Sequence, residues 1–371
     1  MYCEYFGKCG SCNLYNLSYD EQIVQKKDYI KELFGDNIKE NFEFFPSKDA
    51  HYRSRAEFRI WHDGDEISYG MHKLEDKGIL KIDECPKVDA NIYSLMPILK
   101  DFLQKSDELS NRLYAIEFLS SVDSVLVTLI YHRPIGENWK KEAIKLENRF
   151  GIYVIGRARK LKEVLSQDYV VESLHVEGKK YLYKIIEGGF SQPNRGINEK
   201  MIEWVCANVK GTRDLLELYC GHGNFTLPLS SKFEKVLATE ISKISIKSAL
   251  YSCKLNSIEN IEFLRMSVEE LTSALKKERE FNRLKKVDLE CYNFSHVFVD
   301  PPRAGIDEKS LKFISGFENI IYISCNPETL KRDLEILKKD FKVVDFAVFD
   351  QFPHTNHIES GMVLTKKKLY I

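Results

Sequence analysis

From Asp214 onward, five short apolar runs, DLLELY, KVLATE, NIEFLR, HVFVD and NIIYIS, alternate with stretches of helical length. Apolar runs of this size bounded by polar and glycine punctuation read as strands buried on both faces, and helices between them impose parallel pairing. The segment therefore predicts a doubly wound parallel α/β sheet. Such sheets bind ligands at the carboxyl ends of their strands, so the residues just after each run are where chemistry is to be sought.

After the first run comes LYCGHGNF, in which Gly221 and Gly223 let the backbone approach a ligand closely. Glu240 ends the second run, 19 residues beyond Gly221, where an acid can hold ribose hydroxyls. A tight strand-to-helix turn, or a dinucleotide site, would account for these two features equally well. The fourth run decides against a nicotinamide enzyme, because HVFVDPPRAG carries Asp300, Pro301, Pro302 and Arg303 at its end. An Asp-Pro-Pro turn resembles the substrate-facing loop of class I S-adenosylmethionine methyltransferases, many of which methylate nucleobases. The fifth run closes on Cys325, in NIIYISCNPETL.

A buried thiol is often only a small apolar group. Uracil C5, however, is too weak a nucleophile to accept a methyl group directly, and a thiolate added at C6 pushes electron density onto C5. Such a mechanism also needs a base to remove the C5 proton. FDQFPHTNHIESGMVL supplies Glu359 at the start of an apolar final strand, with His354 and His357 as rivals.

The first half reads differently. Ser18 and Glu21 form a capping box, and Ile23, Ile30, Leu33 and Phe34 make one face of a helix that Gly35 stops. AEFRIW and ISYGMH predict a hairpin, helices are expected near 90–104 and 137–150, and strands at YAIEFL, VLVTLIY and IYVIGR. A chain of 371 residues is long for one core. The expected division is a Cys-rich segment at 1–17, a mixed α/β RNA-binding domain at 18–185 and a methyltransferase domain at 186–371.

Lys plus Arg number 55 against 56 acids, a net charge of -1, so any RNA surface must be a local patch. Arg53, Arg55 and Arg59 alternate onto one face of an extended segment, opposite Phe58 and Ile60. With Arg303 and the run RARKLK (157–162) they are candidate phosphate contacts, and Tyr52, Phe58 and Trp61 are available for stacking. The sequence has neither an apolar run long enough to cross a bilayer nor a hydrophobic signal core, so a cytoplasmic protein without membrane or protein partners is expected.

Nine cysteines in a reducing compartment point to metal or catalysis rather than disulfides. Cys3, Cys9 and Cys12 read as C-x5-C-x2-C, and Cys85 is the natural fourth ligand because the remaining cysteines fall among later elements. Four thiolates suit structural zinc or a [4Fe-4S] cluster equally.

Taken together, HYRSRAEFRIWHDGDE, GGFSQPN, LLELYCGHGNFTL, LATEIS, EFNRL, VFVDPPRAG, YISCNPETL and FDQFPHTNHIESG resemble the tRNA (uracil-5-)-methyltransferases within the RNA 5-methyluridine methyltransferase family. The resemblance spans nearly the whole chain. It implies a class I methyltransferase domain behind an RNA-contacting domain, with 5-methyluridine at position 54 of the tRNA T-loop as product. It also implies Cys325 as nucleophile, Glu359 as proton acceptor, and Gln192, Tyr219, Asn224, Glu240 and Asp300 as binders of S-adenosylmethionine. Gln192 enters only through the resemblance, since its own context is a polar loop residue before Pro193. The best-known tRNA enzymes of the family lack the N-terminal cysteine set, whereas ribosomal-RNA relatives carry it around a [4Fe-4S] cluster. That likeness favours iron-sulfur over zinc and leaves 23S ribosomal RNA as the alternative substrate.

Overall fold

The computed structural model of the chain describes residues 1–76, 78–285 and 287–368. After the helix Tyr19–Phe34 come strands β1 (Glu43–Phe45), β2 (Arg55–Asp63), β3 (Glu66–His72), β4 (Ile79–Ile82), β5 (Leu113–Ser120), β6 (Val125–Tyr131), β7 (Tyr153–Ala158) and β8 (Leu161–Val164). A hairpin, β9 (Tyr169–Val176) and β10 (Lys179–Ile186), precedes β11 (Asp214–Leu218), β12 (Val236–Thr239), β13 (Ile261–Leu264), β14 (Phe294–Val299), β15 (Asn319–Ser324), β16 (Phe341–Phe349) and β17 (Glu359–Lys366). The five apolar runs are β11 to β15, and they pair in parallel in the order β15-β14-β11-β12-β13. Strand order reverses between β11 and β14, which is where a doubly wound sheet opens a crevice.

Strand β17 runs antiparallel between β15 and β16, and β1 adds to β16 at the edge of this eight-stranded sheet. On one face of the sheet lie Met201, Ile202 and Trp204 from the helix Arg195–Ala207. On the other lie Ile30 and Phe34 from Tyr19–Phe34 and Leu330, Leu334 and Leu337 from Pro327–Leu337. Truncating any of these buried leucines to alanine removes contacts worth about 2–5 kcal/mol. Strands β2 to β8 form a separate seven-stranded sheet in the order β4-β3-β2-β5-β6-β7-β8, with its own core around Phe58, Phe118 and Trp139.

The helix Tyr19–Phe34 has the expected Ser18–Glu21 capping box and ends at Gly35, whose φ is 50°. Its packing departs from the expected division at residue 18. Both the helix and β1 belong with the large sheet, because a 3.6-residue stripe tells which side of a helix is buried but not which sheet it covers. Likewise β9 and β10 pack with the helix Lys243–Asn256 into the core of the large sheet, although they precede residue 186.

Candidate active site

The residues just past the carboxyl ends of β11, β12, β14 and β15 and the first residue of the antiparallel β17 meet along one rim. Beyond β11, Tyr219, Gly221 and Gly223 all have positive φ, and a Cβ on Gly223 would meet Leu227 Cδ1 at 2.6 Å. Glycine at 223 therefore meets both a positive φ and a close neighbour. Beneath it, Glu217 and Thr226 are buried side by side, and burial pushes the Glu217 carboxyl up to about 8 although the Thr226 hydroxyl opposes the rise. Glu240, just past β12, accepts from the Gly221 amide at 3.1 Å and from the Ser242 amide at 2.7 Å. The open space over Gly221 and the Glu240 carboxylate beside it fit the nucleoside of S-adenosylmethionine. Asn224 exchanges two 2.8 Å hydrogen bonds with the Asn198 side chain, and Tyr183 donates to its carbonyl at 2.9 Å. Tyr219 is half-buried, its phenol pushed up to about 12 mainly by burial.

The Asp300–Arg303 loop and the Cys325–Pro327 turn are tied together. Asn326 Nδ2 and Thr329 Oγ1 both donate to the Arg303 carbonyl, at 3.3 and 3.4 Å, while Asn326 Oδ1 caps its own helix. Between β15 and β17 the register pairs Ser324 with Ser360. Cys325 follows that last pair on the β15 side, and Glu359 precedes it on β17. Burial chiefly, then the Glu359 and Asp300 carboxylates, pushes the Cys325 thiol up to about 11. Burial holds Glu359 well above the usual carboxylate range, with Asp300 adding to it, and raises Asp300 to about 7.

The segment leading into Glu359 is clamped from below. Asp350 forms a buried 2.6 Å ion pair with Lys26 and accepts from Tyr19 Oη at 2.8 Å. His354, a rival for the base role, is buried; its backbone amide donates to Gln22 Oε1, and its ring contacts Gln22 Nε2 and the Asp49 carbonyl. These ties make it a support for the loop. Leu14 donates to the His354 carbonyl and Asn13 accepts from Asn356, so the cysteine-bearing segment braces the same loop.

A cleft of about 670 Å³ opens between this rim and the seven-stranded sheet. Cys325, Glu359, Gln192, Arg303 and His357 line one wall, and Arg53, Arg55, Ser11, Cys85 and Lys87 another. A sequence profile of the tRNA (uracil-5-)-methyltransferase family matches residues 18–367. The chain belongs to that family. Its relatives include a tRNA/tmRNA (uracil-C(5))-methyltransferase of Sulfurovum sp., 52% identical over 99% of this chain and all of the relative. One of the same description from Aliarcobacter butzleri is 50% identical over 99% of this chain and all of its own length. A tRNA (uracil-54, C5)-methyltransferase of Pyrococcus abyssi, solved with S-adenosyl-L-homocysteine, shares the fold. Its TM-score is 0.74 at 23% identity, over 96% of this chain and 86% of that one. The class I methyltransferase fold and the enzyme class expected from the motifs are thus those of a tRNA uracil-C5 methyltransferase family member.

Within this family member, the arginines diverge from the expected row. Arg53 and Arg55 reach the cleft, but Arg55 is paired with Glu117 and donates to the Gly189 carbonyl. Arg59 lies 4.2 Å from the Tyr114 ring centroid, and Tyr114 in turn stacks on His132 at 3.9 Å. In the RARKLK run, Arg157 is held by Glu187, and Lys162 by Asp168 and Glu187. Tyr52 and Phe58 are buried and offer no stacking face; Tyr52 Oη donates to the Pro353 carbonyl, whereas Trp61 is 46% exposed. A period-two pattern cannot reveal a partner on another strand.

Cys3, Cys9 and Cys85 are half-buried and Cys12 is buried. Gly10 donates to the His72 carbonyl and Lys8 accepts from Leu74, pinning the cysteine loop beside β3. Burial pushes Cys12 up to about 11; Lys87 opposes that rise, while Cys85 and Cys9 add to it. Among the described residues no set of three or more such side chains has closed to a metal-binding arrangement. The four thiols nevertheless share one electrostatic neighbourhood, and an all-thiol donor set is what zinc or an iron-sulfur cluster takes. Lys87, which donates to Ser11 Oγ at 2.6 Å, escaped the sequence reading although it lies two residues beyond Cys85. Among the described residues no helix is long and apolar enough to cross a membrane.

Proposed function

We propose that this enzyme forms 5-methyluridine at position 54 of the tRNA T-loop through a covalent adduct on Cys325. The observation that carries this reading is that Cys325, just past the end of β15, and Glu359, the first residue of the neighbouring β17, line one cleft. Gln192, Tyr219, Asn224, Glu240 and Asp300 would hold S-adenosylmethionine, which when bound supplies the methyl group. The thiol, held up near 11 in the free protein, gives its proton to the Asp300 carboxylate as its sulfur adds to C6 of the extruded uracil. After C5 has gained its methyl, the Glu359 carboxylate takes the C5 proton, the C6–sulfur bond breaks to release a thiolate, and that thiolate recovers the proton held by Asp300. Burial suits Glu359 to this task, because a carboxylate disfavoured as an anion is a stronger base.

Arg53 and Arg303 line the cleft and would meet phosphates, and Arg59 on its Tyr114–His132 stack would meet the loop outside it. Cys3, Cys9, Cys12 and Cys85 would hold one [4Fe-4S] cluster, zinc being the alternative, and it would brace the loop before Glu359 without taking part in transfer. The seven-stranded unit would serve as the RNA-contacting domain and the eight-stranded unit as the transferase. A cytoplasmic location follows from a tRNA substrate.

The test is a tRNA with 5-fluorouridine at position 54. Fluorine at C5 blocks the last elimination, so the wild-type protein is expected to retain the RNA through denaturing electrophoresis, and Cys325→Ala to retain none. Methylation by the alanine variant would rule out the covalent route.

A further inference from the structure

Gln351 is fully buried, and among the described residues its one side-chain hydrogen bond runs from Nε2 to Gln192 Oε1 at 2.7 Å. Its own Oε1 is buried without a partner. Two amides can meet in two ways, and the reverse arrangement would leave both hydrogens of a buried NH2 group orphaned. The observed arrangement leaves one acceptor and one hydrogen unpaired, the reverse two hydrogens, and an unpaired acceptor costs less than an unpaired donor. Gln192 is therefore held by its oxygen, and its NH2 group has no protein acceptor among the described residues. Gln192 lines the cleft together with Cys325 and Glu359. Asp350, the neighbour of Gln351, is fixed by Lys26, so the pair stands on a rigid footing.

We propose that Gln351 is a positioning residue that makes Gln192 a donor toward an oxygen acceptor of the bound ligands. This rests on the reading that Gln192 faces the reactants. Two oxygens qualify: a carbonyl of the target uracil and the amino-acid carboxylate of S-adenosylmethionine. A group with a hydrogen-bearing amine at that place, such as the 4-amino group of cytosine, would meet the Gln192 NH2 donor to donor and be rejected. The sequence gives Gln351 no prominence, because an amide inside FDQFP looks like any polar loop residue.

The experiment replaces Gln351 by Met, which keeps length and volume but leaves the Gln192 amide free to turn. Gln351→Leu serves in its place if cooperative unfolding is lost. One arm measures S-adenosylhomocysteine affinity without RNA, by calorimetry. The other measures tritium release from T-arm RNA labelled at uridine C5, without the methyl donor. A loss of about tenfold in one arm alone is expected, the value of one well-formed hydrogen bond. Loss confined to homocysteine binding assigns the carboxylate, and loss confined to exchange assigns the uracil carbonyl. Equal losses in both arms, or none in either, would overturn the proposal. Gln192→Ala separates the two layers: if it too leaves both arms unchanged, the reading of Gln192 fails, and if it alone weakens them, only the role of Gln351 fails.

Discussion

The carboxyl edge of the large sheet and the rim facing it across the cleft are built on opposite principles. On the sheet edge, Tyr219, Glu240, Asp300 and Cys325 each stand one residue past a strand, so the backbone ladder itself fixes where they go. On the facing rim, Arg55, Ser11 and Lys87 are placed by side-chain bonds to Glu117, to Gly189 and to one another. Chemistry held by main chain tolerates little movement. Contacts held by side chains can be traded between neighbours, and a row of arginines there need not act as a row.

The largest effect expected falls on the sheet edge. Glu359→Gln should still add Cys325 to uracil and transfer methyl, yet turn over roughly 10²–10⁴-fold more slowly, since an amide is a far weaker base. Rapid quench followed by denaturing gels should reveal methylated RNA attached to protein. Normal turnover would move the base role to His357, the histidine in the cleft.

Lys26→Met asks whether the clamp beneath that edge is as firm as the ladder. It strands Asp350 as a buried anion, which costs about 3–5 kcal/mol. Urea unfolding would register the loss, and a change below about 1 kcal/mol would mean that Asp350 finds water instead.

Cys85→Ser probes the facing rim. On the proposed cluster, wild-type protein prepared without oxygen should be brown and Cys85→Ser colourless and iron-free, with RNA affinity about tenfold lower, roughly 1.4 kcal/mol, while S-adenosylhomocysteine binding persists. Stoichiometric zinc in a colourless wild-type preparation would replace the cluster but keep the thiol site.

A pH-graded effect concerns Glu217. Its carboxyl titrates at about 8 in the fold against 4.5 when exposed, so the folded chain holds a proton that the unfolded one has lost. The associated stability is whole below 4.5 and drains away as pH rises toward 8, by at most ~1.4 kcal/mol per unit. Glu217→Gln should therefore melt progressively higher than wild type between pH 6 and 8. Parallel melting curves over that range would show Glu217 already ionised.

The five parallel strands, the capping box and the two helices of the first domain could be read from apolar periodicity and punctuation alone. Cys325, Glu240 and Asp300 were legible for the same reason, each being pinned to the end of a readable strand. Gln351 and the Lys26–Asp350 pair were not, because their meaning arises between elements about 160 and 324 residues apart. The packing of the Tyr19–Phe34 helix onto the large sheet belongs to the same class. Nothing local distinguishes one apolar partner from another.

A thiol that burial and two acids keep protonated near 11 has a further meaning for a protein that must survive in air and among electrophiles. Peroxides and alkylating agents consume thiolates, and a thiol pushed up this far is protonated at neutral pH. The resting enzyme thus carries its reactive atom in a disarmed state. On the proposed mechanism, any small-molecule inhibitor aimed at this cysteine would have to add while a neighbouring carboxylate takes the proton.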